Sequence, residues 1–155
     1  MTVTNLQSLA SSATAGWQSA RVDNQTATKA LDYEIVVKLT TANTAPANDK
    51  AAYVYLSPAV TTDGGTTWLQ ADQGTATLPT GTEGTTTIAS PNDLKLLGVL
   101  SYTTQNMTMQ GVFNISNAVG QFMPDGWSII IINFTGAALA TGCVVSYRAL
   151  NITNA

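Results

Sequence analysis

The sequence predicts an all-β protein: a single-domain β-sandwich or jelly roll of about eight short strands, preceded by a short N-terminal arm. Three observations predict it. The dominant hydrophobic period is two, the alternation of a strand with one wet face. Clusters rich in Gly, Pro, Asn and Asp recur between the alternating stretches and read as turns. The composition is β-prone: the 155 residues include 25 threonines, 45% are apolar and only 10% charged, the reverse of the balance that keeps a chain disordered.

Residues 1–15 are the arm, small, polar and without a charged side chain. Thr4 and Gln7 have capping-box spacing and Leu6 and Leu9 lie three apart, so one helical turn fits, and so does an extended arm. The sandwich is expected over 16–155. "GWQSARV" (16–22) is a weak strand. "LDYEIVVKL" (31–39) is a strong one, with Leu31, Tyr33, Ile35, Val37 and Leu39 on one face, and Asp32, Glu34 and Lys38 with Val36 on the other. "TAPANDK" is a surface loop, "AAYVYLS" (51–57) a strand, and "TDGG" (62–65) a tight turn before the weak strand "TTWLQ". "LPTGTEG" is a longer loop before "GTTTIA", and "SPND" (90–93) stops that element before the strand "LKLLGVLSY". "MTMQGVFNI" (107–115) places Met107, Met109, Phe113 and Ile115 inside, and "CVVSYRALNI" closes the chain as a last strand.

Between the turn "MPDG" and the loop "FTGAALATG" lies a strand with two apolar faces. Trp127, Ile129 and Ile131 point one way, and Ile130, Ile132 and Phe134 the other. A sandwich buries one face of each sheet. The face of Ile130, Ile132 and Phe134 therefore needs a cover from a loop, from the arm or from another subunit. A subunit is preferred, because large apolar patches seldom stay exposed on monomers.

Little in the sequence carries chemistry. There is no histidine, which removes Ser-His-Asp and Cys-His systems and His-ligated metals. Cys143 opens an apolar strand with no basic neighbour and reads as a core residue; a single cysteine permits no intrachain disulfide and fits a reducing compartment. Asp32 and Glu34 share a wet strand face with Lys38 and read as solvated. "GTEGTTT" lacks the lysine of a phosphate loop. Asp63-Gly64-Gly65, with Asp72, is the best calcium candidate but reads more simply as a hairpin turn. Trp17, Trp68 and Trp127, with Tyr53, Tyr55, Tyr102 and Tyr147, read as core before they read as a sugar-stacking platform. Five Asn-x-Ser/Thr triplets, at Asn24, Asn106, Asn114, Asn133 and Asn151, follow from composition. A net charge of −3 and a pI near 4.5 argue against nucleic acid. The N-terminus lacks a secretory pattern and no apolar run is long enough to span a membrane, so a soluble chain made in the cytoplasm is expected. No enzyme activity, cofactor, metal or small-molecule substrate is expected.

"SLASSATAGWQSARVDN", "YVYLSPAVTTDGGTTW", "LKLLGVL" and "MPDGWSIIIINFTGAAL", in this order, resemble small virion proteins of tailed bacteriophages. The resemblance runs from about Leu9 to Tyr147 and rests on turns and strands. It implies a structural protein of the capsid decoration (cement) type: a homotrimer on the capsid surface of the virion, partnered with the major capsid protein and synthesised in the host bacterial cytoplasm. On that reading Ile130, Ile132 and Phe134 form the oligomer interface, and Leu6 and Leu9 dock the arm on the capsid. A tail component, such as a carbohydrate- or receptor-binding module of a fibre or spike, is the alternative.

Overall fold

The structure, a computed structural model, describes residues 1–25, 29–71, 81–88, 90–120 and 122–151. Ten strands occur among them: β1 (Ala15–Gln18), β2 (Val22–Asp23), β3 (Asp32–Thr40), β4 (Ala51–Val60), β5 (Leu69–Gln70), β6 (Gly84–Thr87), β7 (Lys95–Ser101), β8 (Thr108–Asn114), β9 (Gly126–Phe134) and β10 (Val144–Leu150). A 3-10 turn, Asn5–Ser8, and a single-turn helix α1, Ser116–Val119, complete the elements. The protein is all-β, as expected. No helix among the described residues is long and apolar enough to cross a membrane.

The strands form two antiparallel sheets. In the larger, the order is β5-β4-β9-β1-β6, with β2 beside β9 and β7 beside β4. The smaller is β10-β3-β8. The chain passes from one sheet to the other between β2 and β3, β3 and β4, β7 and β8, β8 and β9, and β9 and β10. Strand β3 shows why alternation fixes register: Tyr33, Ile35, Val37 and Leu39 are buried while Glu34, Val36 and Lys38 are only half-buried. A one-residue slip would turn all four buried side chains to water. Leu31 departs from the pattern and is mostly exposed. It lies one residue before β3, and its amide bonds the carbonyl of Leu150 at the sheet's end.

One hydrophobic cluster joins both sheets. It takes Tyr33, Ile35 and Val37 from β3, Val54 and Leu56 from β4, Trp127, Ile129 and Ile131 from β9, and Val145 from β10. At its edge the buried Tyr33 and Trp127 meet the exposed Tyr147 edge to face, with ring centroids 5.1–5.8 Å apart, a favoured aromatic geometry. A second, smaller cluster lies on the other face of the larger sheet: Ile130 and Ile132 with Ile88 and Leu94, flanked by Tyr53 and Tyr55.

The short helix α1 has no counterpart in the sequence reading. Its first turn is held by a distant side chain: Asp32 accepts the Ser116 amide at 3.0 Å and its hydroxyl at 2.6 Å.

Candidate functional site

The two apolar faces of β9 are real, and both are covered from within the chain. Ile130 is fully buried and Ile132 is 6% exposed, beneath Ile88 and Leu94. Gly16 makes this possible: a Cβ there would come within 2.5 Å of Ile88 Cδ1. The Ile88 amide is fixed to the carbonyl of Thr14 at 2.8 Å. The turn at 90–93 then delivers Leu94, whose amide bonds the Pro91 carbonyl. The expectation that a neighbouring copy covers Ile130 and Ile132 is therefore corrected: the segment entering β7 does so. Phe134, at the end of β9 opposite Ala51, is half-buried.

The arm is likewise part of the fold. Leu6 is fully buried and Leu9 is 5% exposed, both in the main cluster. Of the two forms left open for it, helical turn or extended arm, the arm holds a 3-10 turn, and Thr4 makes no side-chain cap bond. Gln7 instead reaches across the molecule and brackets Cys143, donating to its carbonyl at 2.9 Å and accepting its amide at 3.2 Å. Asn133 donates to the carbonyls of Leu9 and Ala137. Leu6 and Leu9 are unavailable for docking on a capsid while the chain is folded, and that expectation is corrected too. The sequence shows apolar side chains in the arm; it does not show whose core they enter.

Glu83 closes this network. It accepts the Trp17 indole N–H at 2.6 Å, the Asn5 amide at 2.8 Å and the Asn5 side chain at 2.9 Å. Partial burial works to raise its pKa, but the Trp17 and Asn5 bonds outweigh this and hold it below its ordinary value. Cys143 is buried, and that burial pushes its thiol up, the opposite of a nucleophile's activation.

The tight turn expected at 62–65 lies within a longer loop, 61–68, that joins the antiparallel β4 and β5. Gly64 and Gly65 take positive φ, and Asp63 Oδ1 accepts the Thr61 hydroxyl at 2.8 Å and the amides of Thr66 and Thr67 at 3.1 and 2.8 Å. Asp72, the second member of the calcium reading, lies outside the described residues. Among those described, no cluster of three or more acidic, cysteine or histidine side chains is placed to hold a metal. Trp17 and Trp127 are wholly buried, and the Arg21 guanidinium lies 4.4 Å from the ring centroid of the half-buried Trp68. The tryptophans thus form no open stacking platform.

What the surface does offer is a cleft of mixed polar and apolar lining where the two sheets meet. Among the described residues, strand β7 pairs only with β4, and β8 only with β3. The two are consecutive in the chain but belong to different sheets. Between the start of β7 and the end of β8 lies a cleft of about 300 Å³ in which Leu96, Leu97, Val112, Phe113 and Ala118 share the lining with Asn114 and Asn117. Leu96 and Val112 are 51% and 54% exposed. Gly98 on β7 and Gly111 on β8 make room for Phe113: a Cβ on either would come within 2.4–2.5 Å of its ring. Among the described residues the single ion pair, Glu34–Arg148 at 3.1 Å, is solvent-exposed on the smaller sheet and contributes little. The seam was missed in the sequence because its residues sit in two strands read separately; the signal available was a glycine within each of the two strands.

No family model, curated protein or solved structure matches this chain.

Proposed function

We propose that this protein is a non-enzymatic virion structural protein that binds the outside of a bacteriophage capsid as an oligomer and stabilises it. The observation that carries the proposal is the β7–β8 seam. Two strand edges without ladder partners among the described residues, with exposed Leu96, Val99 and Val112, form a surface suited to side-chain and backbone contacts. The rest of the molecule supports the same reading. Its arm and both faces of β9 are sealed into one body, and its carboxylates Asp32, Asp63 and Glu83 are engaged in holding the fold. The repeated passage between sheets supports the narrower jelly-roll form of the sandwich. The sequence resemblance supplies the phage setting, the major capsid protein as partner, the capsid surface as location and three as the copy number.

The test is direct. Purified heads lacking this protein are incubated with it and imaged, with bound copies counted at rising salt. Many copies per head, retained through moderate salt, is the expected result, because a surface with so few charges has little ionic attraction to screen. Binding to tails or host cells in place of heads would overturn the proposal in favour of a receptor-binding module.

A further inference from the structure

Strand β3 runs through the middle of the smaller sheet, and its even-numbered side chains form the face turned away from the core. Glu34, Val36 and Lys38 follow one another along that face, all half-buried. The ladders set their neighbours. Val36 lies between Ser146 of β10 and Val112 of β8, Glu34 between Arg148 and Asn114, and Lys38 between Val144 and Gln110. The middle row is uncharged and open to solvent, with Val112 54% exposed. The rows on either side each place an amide on β8 but differ in charge. Lys38 is the sole charge of its row and has no ion-pair partner among the described residues. The opposite row holds the Glu34–Arg148 pair, with Asp32 beyond it on β3, and is net acidic.

We propose that this face docks on the same face of a second copy, across a two-fold axis that lies between the two sheets, perpendicular to β3 and level with Val36. Such an axis reverses the strand direction. It sets Val36 against the second copy's Val36, Lys38 against its Glu34, and Gln110 against its Asn114. Charge complementarity selects the occupant: the reversal brings the cationic row onto the acidic one twice in each contact. An axis parallel to β3 would instead set Lys38 against Lys38, a like-charge meeting that interfaces avoid. Sheets stack face to face in this aligned way inside sandwiches, about 10 Å apart and within about 30° of parallel.

Area makes this a weak contact. Three strands paired over seven residues give a footprint of about 14 Å by about 24 Å, or about 350 Å² per copy, which is the size of a transient interface and not of a permanent one. The contact is isologous and closes at two. It is therefore distinct from the threefold association of the proposed function and goes beyond that reading: it joins copies belonging to neighbouring oligomers. Copies held side by side on one surface meet at high effective concentration, where a weak contact suffices.

The experiment uses the full-length chain carrying Val36→Cys, oxidised in air; Cys143 is buried and remains a silent thiol. A disulfide joining position 36 of two chains is the expected product, in clear excess over the chance link formed by Leu69→Cys on exposed β5. Adding Lys38→Glu, or Glu34→Lys, should cut the yield about tenfold or more, because each row then meets its own charge. Mixing those two variants should restore the link, now between unlike chains, and so should placing both substitutions in one chain. Circular dichroism verifies that each variant is folded. A link at position 36 no better than the Leu69→Cys control overturns the contact. So does a link that the single charge changes leave intact, or one that mixing fails to restore. Coating of heads is read separately. A chain that coats heads without linking through position 36 loses this contact and keeps the capsid reading; one that links and leaves heads bare does the reverse.

Discussion

The indole N–H of Trp17 is held by the carboxylate of Glu83 at 2.6 Å. Trp17 has no solvent exposure, so water cannot replace this acceptor. The same carboxylate accepts two bonds from Asn5, which ties the arm to the residue preceding β6. Glu83→Ala should therefore cost about 1–3 kcal/mol, the penalty for leaving a buried donor unsatisfied. Amide exchange over residues 5–9 should rise at the same time. Urea unfolding and hydrogen exchange measure the two effects. An unchanged urea midpoint would mean that the arm and Trp17 are held by packing alone.

Acid should weaken the fold. For Glu83 and Asp32 alike, burial acts to raise the pKa, but hydrogen bonds outweigh it and the net shift is downward. For Asp32 those bonds come from the Ser116 hydroxyl and amide, the Tyr33 amide and Asn114. Asp63 is pulled to about 2, chiefly by the amide and hydroxyl of Thr67. A carboxylate with a folded pKa below its unfolded value binds fewer protons when folded. Its contribution is complete above the ordinary values of 3.8 and 4.5 and is lost as pH falls through the depressed ones. With no histidine to titrate, the urea midpoint should be flat from about pH 7 to about 5 and fall below about 4.5. Asp32→Asn combined with Glu83→Gln should flatten that acid limb. Asp63→Asn should alter it less, because Asp63 is at the surface and its field is screened.

Much of the fold was legible in the sequence because period two is a local signal. Tyr33, Ile35, Val37 and Leu39 could be assigned to one face without knowing what they touch, and Ile129 and Ile131 could be parted from Ile130 and Ile132. What could not be read was which chain supplies the cover. Ile88 and Leu94 flank a turn and carry no periodicity of their own, and their seat over Ile130 depends on Gly16, some seventy residues earlier. Leu6 and Leu9 posed the same difficulty: an apolar pair in a polar arm looks alike whether it enters its own core or a neighbour's. The seam was hidden for a related reason, since β7 and β8 follow one another in the chain as a hairpin would and yet join different sheets.

Because Ile132 is covered from within, Ile132→Asp should unfold the chain rather than release folded subunits. A carboxylate there would be buried without a partner, a severe penalty, and Ile88→Ala should cost about 2–5 kcal/mol by opening a cavity over Ile130. Light scattering combined with urea unfolding separates the outcomes. Folded Ile132→Asp monomers with a wild-type urea midpoint would restore that face to an intersubunit role.

The seam itself can be probed through its glycines. A Cβ on Gly98 would lie 2.4 Å from Phe113 Cε1, and one on Gly111 would lie 2.5 Å from Phe113 Cζ and 2.9 Å from Leu100 Cδ2. Neither glycine takes a positive φ, so crowding rather than backbone geometry opposes a side chain. Alanine in a strand would otherwise gain about 0.5–1 kcal/mol over glycine, while overpacking costs about 1–3 kcal/mol. Gly98→Ala and Gly111→Ala should each come out destabilising, because the ring is wedged between two strands and cannot bend away like an alkyl chain. Phe113→Leu should be destabilising alone through lost packing, but Gly98→Ala with Phe113→Leu should cost less than the sum of the two, with a coupling of about 0.5–3 kcal/mol. Urea unfolding of the four members of this cycle measures it. Additive costs, or a stabilising Gly98→Ala, would show that Phe113 swings clear and that the walls of the cleft are soft.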